Sequence, residues 1–175
     1  MIQHLLAANA KALRQSGHYV LADITDNFLV KPSDKWDRRF MSLIQNEVST
    51  WSKDPSTQVA ALIVSPDRRT LITGYNGFPQ GIEDVHLDNK RHKYKRIIHA
   101  ELNAILNAQR DLHGFTLYVT PLSPCNACAC AIIQSGISRV VTDYEFGTNP
   151  RWDDSMQDGI NLFTEAGVDY VTIKS

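Results

Sequence analysis

The sequence predicts an α/β protein in which a mixed five-stranded sheet lies between helices on both of its faces. Five short segments are rich in β-branched and aromatic residues, as strands are. Between most of them lie longer segments whose apolar residues recur at helical spacing. After a leading helix the predicted order is β-β-α-β-α-β-α-β, which is typical of a three-layer α-β-α domain.

The chain begins with an N-terminal extension, residues 1–33, and the predicted domain occupies residues 34–175. In the extension, residues 19–30 suggest an extended arm whose apolar side chains need a partner surface, either this core or a neighbouring subunit. A short amphipathic helix before the arm is predicted from Ile2, Leu5, Leu6 and Leu13.

The domain opens with a helix that Ser33 or Asp34 caps, followed by an antiparallel hairpin. The hairpin strands are predicted at 58–65 and 70–75, with a turn between them. The apolar residues of the helix have helical spacing and are expected to face the core; they are Trp36, Phe40, Leu43, Ile44, Val48 and Trp51.

A long polar connection, residues 80–97, leads to the second half of the domain. Its basic run, residues 90–96, is expected to be a solvated surface, and contact with a phosphate group is the alternative. His86 and His92 are expected to be surface or capping residues. Just before it, Asn76 is either a turn residue or, at a strand end, a hydrogen-bond partner for a sugar hydroxyl.

The second half alternates helices and strands. Pro124 suits a helix start and Ser123 can cap it. The predicted elements are helix 100–108, strand 115–120, a helix from about Cys125, strand 138–143, helix 153–166 and strand 168–173.

Three side chains in this half are of the types that a catalytic zinc ion favours: His99, Cys125 and Cys128. The two cysteines are i and i+3 at a helix start, so their sulfurs share one face, and the positive helix end favours thiolate. With two thiolates and a neutral imidazole the ion is formally neutral and can lower the pKa of water to about 7. Glu101 is expected to carry protons and not to bind the metal.

The two cysteines have two other possible roles. Cys-x-x-Cys alone also occurs in redox pairs and in halves of structural zinc sites. A redox pair has no need of His-x-Glu, and a closed structural site needs a fourth protein ligand. Cys130 lies at i+2 from Cys128, faces elsewhere, and is expected to be an ordinary buried thiol.

Composition narrows the possible classes of function. Lys and Arg number 18 against 19 for Asp and Glu, which argues against a general nucleic-acid-binding protein. Apolar runs are too short for a membrane span, and the N-terminus lacks the features of a secretion signal. Three cysteines, two of them assigned to a metal, favour a reducing cytoplasm.

Five segments resemble deoxycytidylate (dCMP) deaminases of the cytidine-deaminase-like fold, and the likeness covers about residues 34–174. His-x-Glu followed by Pro-Cys-x-x-Cys is the signature of zinc nucleobase deaminases. The last segment is similar to virus-encoded members in particular. The segments are WSKDPSTQVAALIV, GYNGFP, IHAELNAI, LYVTPLSPCNACACAIIQSGI and PRWDDSMQDGINLFTEAGVDY.

The resemblance implies hydrolytic deamination of dCMP to dUMP and ammonia, with Glu101 as proton shuttle. The N–H of Ala100 would bind the pyrimidine carbonyl, Asn76 the sugar, and Ser56 with Thr57 the region of the phosphate. One catalytic zinc ion per chain would be held by His99, Cys125 and Cys128.

Further expectations follow from the family. Members are commonly hexamers, many are activated by dCTP and inhibited by dTTP, and Mg²⁺ could accompany such an effector. The enzyme would act in the cytoplasm, that of the host if the gene is viral.

This chain has Phe146-Gly147 where several members have a tyrosine or a basic residue, and Phe146 can stack on a base. This departure leaves a dCTP-accepting or dual-specificity deaminase as the first alternative. A deaminase acting on tRNA or DNA is a weaker variant, because the net charge is close to zero. An inert, zinc-stabilised binding protein is a third possibility.

Overall fold

A computed structural model describes residues 35–173, so the expectations for the N-terminal extension and for the cap at Ser33 or Asp34 lie outside the described residues. Five strands form one sheet: β1 (Ala60–Val64), β2 (Leu71–Tyr75), β3 (Thr116–Thr120), β4 (Arg139–Thr142) and β5 (Asp169–Thr172). Their order is β2-β1-β3-β4-β5. β1 is antiparallel to both neighbours, whereas β3, β4 and β5 are parallel. The predicted fold class and mixed sheet are confirmed.

Five α-helices and one 3₁₀ turn (Val48–Trp51) surround this sheet in the described residues. None of these helices is long and apolar enough to cross a membrane. The helices are α1 (Lys35–Asn46), α2 (Lys90–Lys93), α3 (Ala100–Ala108), α4 (Asn126–Gln134) and α5 (Pro150–Ala166).

The sheet has a hydrophobic core on each face. Every residue of β1 is buried, as expected for a strand covered on both sides. Ala61 and Ile63 pack with α3, α4 and α5 in one core. Ala60, Leu62 and Val64 pack with α1 in the other. The molecule is therefore an α-β-α sandwich, with α1 on one face and α3, α4 and α5 on the other.

Strand register places the ends of several elements together. Ala60 pairs with both Tyr75 and Thr120, so the start of β1 and the ends of β2 and β3 share one edge of the sheet. Because β3 and β4 are parallel, α4 begins at this edge, and so does the loop after β4. The turn between β1 and β2 lies at the opposite edge, where Val64 pairs with Leu71 and Thr116.

The first predicted helix ends earlier than its apolar spacing suggests. α1 stops at Asn46, and a 3₁₀ turn follows. The Ser49 hydroxyl donates to the carbonyl of Gln45, and such bonds compete with helical ones. Trp51, expected in the core, is 49% exposed and packs on Tyr75.

The cap predicted for one helix and the start predicted for another need correction. The helix expected from about Cys125 begins at Asn126, with Cys125 at its N-cap. Ser123 does not cap it, since its hydroxyl lies 2.9 Å from that of Tyr170. α5 begins at Pro150, three residues before the predicted start, because proline suits the first helical turn.

Cys130 and the basic run also differ from expectation. Cys130, predicted to be buried, is exposed on α4. The polar connection contains α2, which Asn89 caps, and Lys93 within it is buried. The basic run is therefore not a uniformly solvated surface.

Candidate active site

The ligand atoms of His99, Cys125 and Cys128 lie within 4.8 Å of one another. Nδ1 of His99 is 3.6 Å from the sulfur of Cys125 and 3.4 Å from that of Cys128. In a tetrahedral zinc site, bond lengths of about 2.3 Å to sulfur and 2.0–2.1 Å to nitrogen separate these atoms by about 3.6 Å. The geometry therefore fits zinc, with Nδ1 as the ligand nitrogen of the histidine.

Two helix N-termini hold these side chains. His99 and Cys125 occupy the N-caps of α3 and α4, both with extended backbone, whereas Cys128 is in the first turn of α4. Both positive helix ends therefore lie at the ligands, where they favour negatively charged sulfur. The starts of α3 and α4 that the sequence predicted agree with the structure to within one residue.

The two thiols differ in acidity. The pKa of Cys125 is lowered to about 4, first because Cys128 donates a hydrogen bond to it and also because His99 lies beside it. The pKa of Cys128 is raised, because it is that donor and because it is buried. The hydrogen bond with Cys125 likewise raises the pKa of His99. Zinc binding at neutral pH would then displace the proton of Cys128.

Glu101 lies in the first turn of α3 and is 3% exposed. Burial raises the pKa of its carboxyl above the usual range. It is not part of the metal-compatible cluster of the described residues. A buried acid beside the metal ligands, but not among them, has the placement that a proton shuttle requires.

His99, Cys125 and Glu101 line a cavity of about 280 Å³, close to the lower end of the usual range for small-molecule sites. The lining includes four residues for which a substrate contact is predicted: Ser56, Thr57, Asn76 and Ala100. Ala100 is the first residue of α3, so its N–H has no acceptor within the helix.

Asn76 is buried and tightly held. Its Oδ1 accepts from the Ser52 hydroxyl and the Val59 N–H, and its Nδ2 donates to the Thr57 carbonyl and to Asp54. These bonds use both donors and both acceptor sites of the amide. Asn76 thus fixes the loop between α1 and β1, and its contact with a sugar stays a prediction that would require one bond to be exchanged.

Phe146 is not among the cavity-lining residues. It is 41% exposed and packs edge-on against Tyr144, so its stacking on a base stays a prediction. The sequence interpretation did not assign several side chains that do line the cavity: Asp54, Lys90, Lys93, Tyr94, Arg151 and Trp152. For Lys90 and Lys93 the only signal in the sequence was the basic run, residues 90–96, for which contact with a phosphate group was the alternative interpretation.

Residues 34–143 match the family model described as the cytidine and deoxycytidylate deaminase zinc-binding region. An uncharacterized deaminase from the luxG 3′ region of Aliivibrio fischeri is 42% identical over 137 residues, which cover 77% of this chain and 91% of that protein. Human deoxycytidylate deaminase is 41% identical over 115 residues, or 61% of this chain and 64% of the human protein.

A solved structure supports the fold. The crystal structure of dCMP deaminase from the cyanophage S-TIM5, in apo form, is similar with a TM-score of 0.64. The match covers 81% of this chain and 100% of that chain, at 23% identity. At this identity the likeness establishes a common fold.

Proposed function

Because the chain belongs to the cytidine and deoxycytidylate deaminase family, we propose that it is a zinc-dependent hydrolase that converts dCMP and water to dUMP and ammonia. The observation that carries this proposal is the cluster of His99, Cys125 and Cys128 with the buried acid Glu101 beside it. The human relative, named deoxycytidylate deaminase, supports dCMP as the substrate.

The metal would be held by Nδ1 of His99 and the sulfurs of Cys125 and Cys128. When bound there, zinc would supply a water activated for attack on C4 of the base. Glu101 would take one proton from that water and deliver it to N3, and would then take the second proton from the hydroxyl added at C4 and pass it to the departing amine. Its raised pKa suits a group that must both accept and donate a proton near neutral pH.

The first turn of α3 would also orient the base. The N–H of Ala100, which has no acceptor within the helix, would donate to the pyrimidine carbonyl next to Glu101 and His99. Ser56 and Thr57, in the loop that leads to β1, would lie near the phosphate. These assignments rest on the shared cavity lining and on the family motifs.

Glu101→Gln tests the mechanism, because glutamine has the shape of glutamate but cannot carry the proton. We expect turnover of dCMP to fall by about 10²- to 10⁴-fold, while zinc content stays at one ion per chain. Ammonia release and metal analysis measure the two properties. Glu83→Gln, at an exposed position outside the cavity lining, is the matched control. Unchanged turnover in Glu101→Gln would contradict the proposed role, and loss of zinc would show that Glu101 is a ligand.

The expectations about assembly, regulation and location in the cell stay proposals. They are a hexameric assembly, activation by dCTP with Mg²⁺, inhibition by dTTP, and action in the cytoplasm. Residues 34–175 as the deaminase domain and 1–33 as an extension are a proposal as well. The dCTP-accepting alternative is less well supported than dCMP, because the named relative acts on deoxycytidylate.

A further inference from the structure

A buried glycine, Gly159, stands in the middle of the long helix α5. Glycine is less favourable than alanine inside a helix, so a glycine there needs a reason in the packing. The backbone conformation does not supply one, because Gly159 is not among the glycines with positive φ. The reason is therefore to be found in what α5 contacts at this point.

Gly159 contacts the chain at Pro124 and at the metal ligand Cys125. A Cβ on residue 159 would lie 2.7 Å from the carbonyl oxygen of Pro124 and 3.4 Å from the carbonyl carbon of Cys125. Real Cβ atoms essentially never come within 3.0 Å of such an atom. Both neighbours belong to the backbone, so no side-chain rotation can make room. The backbone of α5 therefore packs directly on the segment that carries a metal ligand.

Two further contacts hold the residues on either side of Cys125. Before it, the hydroxyl of Ser123 lies 2.9 Å from that of Tyr170 on β5. After it, the hydroxyl of Ser155, one turn ahead of the glycine on α5, donates to Oδ1 of Asn126 at 3.2 Å. The segment with the metal ligand is thus fixed at both ends by side chains and in its middle by the glycine.

Helix α5 is anchored on both sides of Gly159. Phe163, one turn later on the same face, is fully buried and stacks on Tyr170 with ring centres 6.0 Å apart. Met156, one turn earlier, is 3% exposed. Because α5 is held at these two points, an added atom at position 159 would displace the segment that carries Cys125.

We propose that Gly159 is a positioning residue of the zinc site, which together with Ser155 lets α5 hold the sulfur of Cys125 where a single ion can bind it. This inference rests on the metal site of the proposed function. Metal sites tolerate deviations of about 0.2 Å in ligand distance, whereas a methyl group at residue 159 needs several tenths of an ångström more space. α5 lies outside residues 34–143, which the zinc-binding family model matches.

Gly159→Ala, in the full-length chain, tests the proposal through zinc affinity. We expect the zinc dissociation constant, measured by competition with a chromophoric chelator, to rise about 10- to 100-fold, as for other changes that misorient metal ligands. The matched control is Asn161→Ala, at an exposed position of the same helix, which also raises helix propensity. The control should bind zinc as the wild type does. Wild-type affinity in Gly159→Ala would overturn the proposal.

The spectrum of bound Co²⁺ separates positioning from a general loss of stability. The visible absorption bands of Co²⁺ in place of zinc depend on the geometry of the ligands around the ion. We expect shifted bands in Gly159→Ala and wild-type bands in Asn161→Ala. A weaker affinity with unchanged bands would show that residue 159 affects stability alone, and would overturn the positioning role.

Ser155→Ala decides the matter if circular dichroism shows that Gly159→Ala does not fold. This change removes the contact with Asn126 and adds no atom. We expect the zinc dissociation constant to rise about 2- to 10-fold, the effect of one hydrogen bond, with shifted Co²⁺ bands. Wild-type affinity and bands in this variant would overturn the idea that α5 positions Cys125.

Zinc binding by the wild type distinguishes failure of this inference from failure of the proposed function. A wild-type protein that binds no zinc would refute both. A wild-type protein that binds one zinc ion but releases no ammonia from dCMP would refute the proposed activity alone. The comparison of zinc affinities would then still decide the role of Gly159.

Discussion

Asp54 accepts five hydrogen bonds from four residues. The donors are the N–H and hydroxyl of Ser56, the N–H of Thr57, the amide of Asn76 and the ammonium of Lys93. Burial raises the pKa of this carboxyl, but the hydrogen bonds outweigh burial, and the pKa is lowered below its ordinary value. Asp54 therefore links the loop that holds Ser56 to the helix that holds Lys93.

Asp54→Asn should lower the free energy of unfolding by about 3–5 kcal/mol at pH 7, because it leaves the buried ammonium of Lys93 without its counter-charge. A lowered folded-state pKa means that the stabilisation is complete above the unfolded-state pKa, about 3.9, and is lost as the pH falls through the folded-state value. The gap between variant and wild type should thus be constant from pH 5 to 8 and shrink below about pH 4. Urea denaturation across this range measures it.

The control is Asp84→Asn, which removes an ion pair of the same chemistry at the surface. Lys53 and Asp84 are 2.7 Å apart, with side chains 74% and 36% exposed. We expect a much smaller change in unfolding free energy, because solvent screens an exposed ion pair. An equal loss in both variants would show that burial is not what makes the Asp54 pair important.

Residue chemistry was predictable where it depended on spacing along the chain. His99, Cys125 and Cys128 were identified because their residue types and their spacing along the chain are typical of a zinc site. The hydrogen-bond partners of Asp54 were not identified, because Lys93 is 39 positions away along the chain and Asn76 is 22. A basic run shows that cations are present, but only the fold decides which of them is buried.

At the scale of elements, α3 packs directly on β2 at Gly74. A Cβ at this position would lie 2.3 Å from the carbonyl oxygen of Ala100 and 2.4 Å from the nitrogen of Ala104. Both neighbours are backbone atoms of the helix whose N-cap is His99, and they cannot move without moving the helix. The absence of a side chain at residue 74 therefore sets the height of α3 above the sheet.

Gly74→Ala should displace α3 and with it both His99 and Glu101. We expect a loss of about 1–3 kcal/mol in stability, the usual cost of overpacking, together with a decrease in kcat for dCMP. Thermal unfolding and steady-state kinetics measure the two effects. Gly77→Ala is the control, since a Cβ there has nothing within 4 Å. Wild-type kinetics in Gly74→Ala would contradict the idea that this contact positions the site.

Strands were easier to predict than helix ends. Each strand was placed within two residues because its β-branched and aromatic content is a local property. The cap predicted for α4 was wrong because Ser123, a good cap by type, bonds with Tyr170 on a strand 47 residues away. Helix α2 was missed because four charged or polar residues show no apolar periodicity.

In the whole molecule, the metal ligands connect two helices separated by β3. Because zinc would bind the folded state, its removal should destabilise the entire domain and not only the cavity. At a zinc concentration about 100 times its dissociation constant, chelation should lower the melting temperature by roughly 5–10 °C. Scanning calorimetry with and without a chelator measures this shift. The His99→Ala variant should melt at the same temperature in both conditions, and a chelator-dependent shift in that variant would contradict His99 as a ligand.

The arrangement of layers followed from the order of elements, since a mixed sheet with intervening helices admits few topologies. The sequence did not indicate which contacts join α1 to the sheet. Asp37 on α1 forms a two-bond ion pair with Arg139 at the start of β4, 2.8 Å at each oxygen, and accepts a hydrogen bond from Tyr118. These partners are about 80 to 100 positions apart, which no local pattern can pair.

The turn between β1 and β2 lies at the sheet edge remote from the cavity, and residues 66–69 in it are exposed. A purification tag or a fluorescent reporter inserted there would extend into solvent without approaching the metal ligands or the cavity. The hairpin therefore offers an attachment point for immobilising the enzyme with its cavity facing the solution.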